Sequence, residues 1–140
     1  MRLLTYLPIF FLYITFVNAA DYQLFGANIS VNKLCNVTIS KGNKISVVKP
    51  NFSGVGDCRL ITLSQTNVLN TKYIAGSYLF FVENNLGNIE DCHSEYTAIG
   101  VSKELIISTT DFIKNSGSCY QDKDLLSFEY FSNKLTELEN

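Results

Sequence analysis

Short apolar runs alternate with turn-forming clusters along most of this chain, the spacing of an antiparallel β protein. The clearest run is Leu34 to Ser40, where Cys35, Val37 and Ile39 fall on one face and Asn36, Thr38 and Ser40 on the other. That period of two is the mark of a half-buried strand. Lys41-Gly42-Asn43 follows as turn chemistry, because Gly42 or Asn43 takes φ > 0 at low cost. Lys44 to Lys49 resumes as a strand with Ile45 and Val47 facing one way, so the two runs predict a hairpin with a three-residue loop. Upstream, Tyr22, Leu24, Ile29 and Val31 are inward positions broken by Gly26. Downstream, Pro50 to Asp57 is a loop punctuated by Pro50, Gly54 and Gly56. Cys58 to Ser64 reads as a strand, and the polar stretch Gln65 to Thr71 as a connection. Ser77 to Val82 is apolar at every position after Ser77, which predicts the most buried strand. A turn over Asn84, Asn85, Gly87 and Asn88 leads to strands at Glu95 to Val101 and Glu104 to Ser108.

The final segment has a different period. Leu125, Phe128, Phe131, Leu135 and Leu138 recur at intervals of three and four, one face of a helix running from Asp124 to Leu138. Asp122 or Asp124 supplies its N-cap. The pattern as a whole predicts a mainly β domain: a small antiparallel sandwich or barrel of about six or seven short strands with a C-terminal amphipathic helix. Gly42-Asn43-Lys44-Ile45-Ser46, and Glu83-Asn84-Asn85-Leu86-Gly87 after Tyr78-Leu79-Phe80-Phe81, resemble the strand and turn pattern of βγ-crystallin domains. Val47 stands where that family's second serine falls, and the resemblance implies a Greek key as the alternative arrangement.

Ahead of the β pattern lies a segment of another kind. Arg2 is followed by an almost unbroken apolar run from Leu3 to Val17, then by Val17, Asn18 and Ala19. This is the layout of a secretory signal with cleavage after Ala19, leaving one domain over residues 20–140. A spanning helix needs about 20 apolar residues without an internal proline, whereas this run is shorter and contains Pro8. No membrane association is expected after cleavage.

Export changes how the cysteines are read. Cys35, Cys58, Cys92 and Cys119 are even in number, and in an oxidising compartment two disulfides are the default. Three connectivities exist; Cys35–Cys58 with Cys92–Cys119 closes two loops of moderate length and is the expected one. Neither paired C-x-x-C nor H-x-x-x-H spacing occurs, so no metal and no cofactor is expected. Asn28, Asn36 and Asn51 head N-x-S/T triplets, glycosylation sites if the cell of origin glycosylates exported proteins. With 14 Asn and 23 Ser or Thr, chance alone gives about two such triplets.

Charge narrows the partners. Without Arg2 the chain holds 10 basic and 13 acidic residues, interleaved along the sequence, and no basic stripe for nucleic acid. One histidine, His93, lies in Glu90-Asp91-Cys92-His93-Ser94-Glu95, where Asp91 or Glu95 could orient it as a general base. No nucleophile elbow accompanies it. Glu83 and Glu95 could face one another across strands as a carboxylate pair. Tyr73, Tyr78, Tyr96, Tyr120 and Tyr130 could offer stacking surfaces for a sugar or a protein. These features favour a non-enzymatic secreted binding protein that recognises a protein or glycan. The alternatives are a small secreted hydrolase or toxin using His93, and a periplasmic inhibitor or immunity-type protein.

Overall fold

The computed structural model describes residues 22–64, 66–88 and 90–138. The expected signal segment, residues 1–19, lies outside the described residues. Two antiparallel sheets and one helix form three layers. The first sheet runs β1 (Tyr22–Leu24), β2 (Ala27–Val31), β3 (Val37–Lys41) and β4 (Lys44–Val48), paired in chain order. The second holds β5 (Asp57–Leu60), β6 (Thr71–Ile74), β7 (Ser77–Asn85), β8 (Ser94–Val101), β9 (Ile107–Thr109), β10 (Lys114–Ser116) and β11 (Thr136–Glu137). Its order is β11-β9-β8-β7-β5, with β6 on β7 and β10 on β8. Neither sheet closes into a barrel, and the first is a plain meander. A Greek key returns its fourth strand beside the first, so the crystallin-like alternative is not formed there.

β7 and β8 are the centre of the molecule. Successive side chains of a strand point to opposite faces, and both faces of this pair are covered. Phe80, Val82, Ile99 and Val101 pack against Ala27, Ile29, Val37, Ile39 and Val48 of the first sheet. Leu79, Phe81, Tyr96 and Ala98 pack against Phe128 and Phe131 of the helix α1 (Leu125–Ser132). The run from Leu79 to Val82 is accordingly apolar at every position because each face has its own layer to meet.

Local chemistry explains the connections. The β1–β2 and β6–β7 turns place Phe25 and Gly26 at φ 42° and 82°, and Ala75 and Gly76 at 51° and 85°, the left-handed pair a type I′ hairpin needs. The β3–β4 loop has two residues, not three: Lys41 pairs with Lys44, and Gly42 alone takes positive φ. The apolar side of β4 is also not the one facing the core. Val48 is buried, whereas Ile45 and Val47 are 69% and 59% exposed. The loop before β5 is moored by Asn84, whose Oδ1 accepts from Gly56 N–H (2.8 Å) and whose amide donates to Gly54 O (2.9 Å). Gly56 is obligatory, since a Cβ there would stand 2.0 Å from the Asn85 carbonyl oxygen.

The helix is shorter than its sequence period predicts. Asp124 is the N-cap, accepting from Ser127 N–H at 2.9 Å, and the accepted bond holds its carboxyl below the usual carboxylate range. The helix stops at Ser132 with Asn133 as C-cap, and the chain turns extended so that Thr136 and Glu137 pair with Thr109 and Ser108. Leu135 therefore packs from a loop, and Leu138 is exposed. The strand predicted at Glu104 to Ser108 begins only at Ile107, because Ser102 Oγ ties Glu104 and Ile106 N–H into a tight turn.

The disulfides join Cys35 to Cys58 and Cys92 to Cys119, with Cα–Cα distances of 5.3 and 5.7 Å. The first ties the two sheets together. The second ties the β7–β8 loop to the segment leading to the helix, and each is worth about 3 kcal/mol on the chain-entropy model. Among the described residues no helix is long and apolar enough to cross a membrane. Two disulfides are compatible with an extracellular or periplasmic location.

That same segment is held by a buried ion pair. Glu83 on β7 has no exposed surface, and its Oε1 lies 3.2 Å from Lys123 Nζ, whose side chain is 8% exposed. Ser94 Oγ donates to Oε1 at 2.7 Å and Tyr120 N–H to Oε2 at 2.5 Å. Glu83→Ala strands the lysine in an apolar layer, a loss of about 3–5 kcal/mol. Urea unfolding of the wild type and the variant checks it, and a change below about 1 kcal/mol contradicts a structural role for the pair.

Candidate functional site

His93 is exposed, in the loop entering β8, and its carbonyl accepts from Leu86 and Gly87 N–H. Glu95, one of its expected partners, is buried on the inner face of the second sheet, where Oε2 accepts from Ser53 N–H at 2.9 Å. Asp91 is exposed, and no hydrogen bond links either acid to the imidazole. The carboxylate pair is not formed either. Glu83 lies opposite Tyr96 while Glu95 lies opposite Asn84, so the register sends the two acids to opposite faces of the sheet. Among the described residues no group of three or more histidines, cysteines or acids gathers as a metal site.

The tyrosines divide by location. Tyr96 is buried against the helix. Tyr130 is flanked by Lys114 and Lys134, with the ammonium groups 4.1 and 5.0 Å from its ring centre. Tyr73 and Tyr78 are cross-strand partners with ring centres 4.8 Å apart, and Phe25 continues the row at 5.3 Å. Tyr73 is exposed, so this row is the accessible stacking surface. Asn28 is exposed on the outer face of the first sheet, opposite Ser40, and Asn51 is exposed after Pro50. Asn36 is half-buried, and its Oδ1 is enclosed without a hydrogen-bond partner.

A large concave feature among the described residues runs along the side of the sandwich, between the outer edge of β4 and the β9–β11 edge of the other sheet. It encloses about 750 Å³, with Ile39, Ile45, Val47, Leu105, Ile106 and Leu138 on its walls and Lys44, Glu104 and Glu137 at its rim. A smaller hollow of about 140 Å³ continues past Val48, bordered by Lys49, Asn51 and Asp111. Four of the wall residues, Ile45, Val47, Ile106 and Leu138, are exposed apolar side chains.

β4 itself ends the four-stranded sheet. Lys41 and Lys44 flank a two-residue loop and form a hydrogen-bonded pair. Alternation along the ladder then assigns Ile39–Ser46 and Val37–Val48 to bonded pairs, and leaves the N–H and C=O of Ile45 and Val47 pointing away from β3. Natural edges are usually blunted by an internal charge, a proline or a bulge. Here lysines stand only at the two ends, Lys44 and Lys49, and Ile45-Ser46-Val47-Val48 between them is unguarded. The sequence hides this edge because KISVVK carries apolar residues on both sides of the strand, so pattern alone does not say which face is buried.

No protein-family model, curated protein or solved structure matches this chain.

Tyr120 makes a separate, testable junction. Its hydroxyl donates to the Asp57 backbone oxygen (2.8 Å) and Oδ2 (3.0 Å), under the Arg59 guanidinium 4.5 Å from the ring centre. Partial burial first, and the Asp57 hydrogen bond and charge second, push the phenol up to about 12. The folded state therefore holds this proton more tightly than the unfolded chain. Its stabilisation is full below pH 10 and is lost as pH rises from 10 through about 12. The stability gap between wild type and Tyr120→Phe should narrow over that window, as read by denaturant midpoints at stepped pH; a gap independent of pH contradicts the assignment.

Proposed function

We propose that this protein is a secreted interaction module that recognises an extended protein segment by adding it as a strand to β4. The observation that carries the reading is the unguarded β4 edge bordering a cleft of mixed polar and aliphatic lining. Two outward N–H groups and two outward carbonyls give main-chain pairing, while the cleft takes alternate side chains, which is the physics of strand addition. The expected signal segment and the two disulfides support action outside the cytoplasm. A protein partner is preferred to a glycan because the β4 edge offers outward N–H and C=O groups that only another polypeptide strand pairs in register, whereas the only accessible aromatic row among the described residues, Tyr73–Tyr78–Phe25, is small and carries one exposed ring. An inhibitor of a single enzyme would work through the same edge. Asn28 and Asn51 are the sequons open to glycosylation, and Asn28 lies two strands from β4, about 10 Å away.

Selection from a displayed random peptide library tests the reading. Enriched peptides should carry apolar residues at alternate positions, and Val47→Pro should weaken their binding at least about tenfold, because proline removes one outward donor and adds bulk at the pairing edge. Proline with its nitrogen toward solvent is tolerated on an edge strand, so the variant keeps the fold. Peptides without alternation that bind the proline variant equally well contradict it.

A further inference from the structure

The free edge of β4 is complementary to itself, and we propose that the strand added to it is β4 of a second copy of this chain, antiparallel, with Ser46 facing Ser46 across a two-fold axis. This rests on the strand-addition reading and names the partner for it. Only Ile45 and Val47 direct main-chain groups outward, so a two-fold pairing centres on Ile45, on Ser46 or on Val47. Centring on Ile45 runs the ladder into the Gly42-Asn43 turn. Centring on Val47 sets Lys49 against Ile45 and Pro50 against Lys44. Centring on Ser46 pairs all five residues of the strand with all five of its mate.

In that register Ile45 and Val47 of each copy exchange both main-chain hydrogen bonds with Val47 and Ile45 of the other. Their side chains meet on the outer face, an apolar cross-strand match. Lys44 falls opposite Val48 and Lys49 opposite Asn43, so no lysine meets a lysine. Charge agrees at both ends of the strand. The end of the cleft beside Asn43 and Lys44 is bordered by Glu104, and the end beyond Val48 by Asp111. An antiparallel mate brings its Lys49 to the first and its Lys44 to the second. One continuous eight-stranded sheet also places both seven-stranded sheets on the same side, so the two clefts face each other and Ile106 and Leu138 of both copies are covered. Asn28 stays clear of the junction.

The register makes a specific chemical test. Ser46 and its mate form a pair without main-chain bonds between them, with Cα atoms about 4.5 Å apart, within disulfide reach. Protein exported to a bacterial periplasm, unglycosylated and with both native disulfides, should be a dimer in sedimentation equilibrium. Ser46→Cys should give a reducible covalent dimer, and Lys44→Cys should remain a monomer on a non-reducing gel. Ile45→Lys and Val47→Pro should each weaken self-association at least about tenfold, with the circular dichroism of the wild type. A cross-link at Ile45→Cys or Val47→Cys in place of Ser46→Cys overturns the register. A wild type that is monomeric at all concentrations overturns the proposal. If such a monomer still binds alternating library peptides in a Val47-dependent way, strand addition stands and self-pairing falls. If it binds none, both fall.

Discussion

Glu83 stands in the longest strand with no exposed surface, and three parts of the chain come to its carboxylate: Ser94 from the neighbouring strand, the backbone of Tyr120, and the ammonium of Lys123. A buried carboxylate is costly unless its oxygens are matched, so the arrangement is all or nothing. With the partners present, the segment 119–123 is pressed onto the second sheet and the helix starts where its aromatic face can meet Phe81 and Tyr96. Lys123 also lies 4.3 Å from the centre of the Tyr96 ring, and Asn70 donates to its carbonyl oxygen. The pair thereby decides where the third layer begins.

The other strong constraints crowd the same end of the molecule. Asn84 and Glu95 moor the loop before β5, and the two disulfides close over residues 35, 58, 92 and 119. β4 touches little of this. One of its faces rests on the core through Val48, one of its edges pairs with β3, and the remaining edge borders the cleft. Among the described residues, a frame locked at one end leaves the β4 edge open along its side beside the cleft, the arrangement that the proposed recognition surface on a rigid support requires. On the proposed reading, stability and recognition fall to different residues.

Much of the frame was legible in the sequence. The alternation of Cys35, Val37 and Ile39 located a strand and its buried face, the apolar run after Ser77 located the central strand, and loop length favoured the disulfide pairing found. Asp122 or Asp124 was the expected helix cap, and Asp124 is the one that caps it. The helix end was not legible, because Leu135 and Leu138 keep a helical spacing by coincidence while belonging to a turn and a sheet edge. A three- or four-residue interval does not distinguish a helix face from a helix followed by a strand. Glu83 read only as half of a possible carboxylate pair with Glu95, since nothing local marks a residue whose partners are 11, 37 and 40 positions away. The cleft was invisible for a related reason: its walls come from β4, the turn after Ser102 and residue 138, brought together only by the packing of two sheets.

Amide exchange followed residue by residue across a dilution series tests the open β4 edge most directly. Ser46 and Val48, bonded inward to β3, should be protected at every concentration. Ile45 and Val47 should exchange fast in dilute protein and slow down as concentration rises and a second strand covers them. Equal protection of all four amides at every dilution would contradict the account, because the edge on which the proposed recognition depends would then be closed within a single molecule.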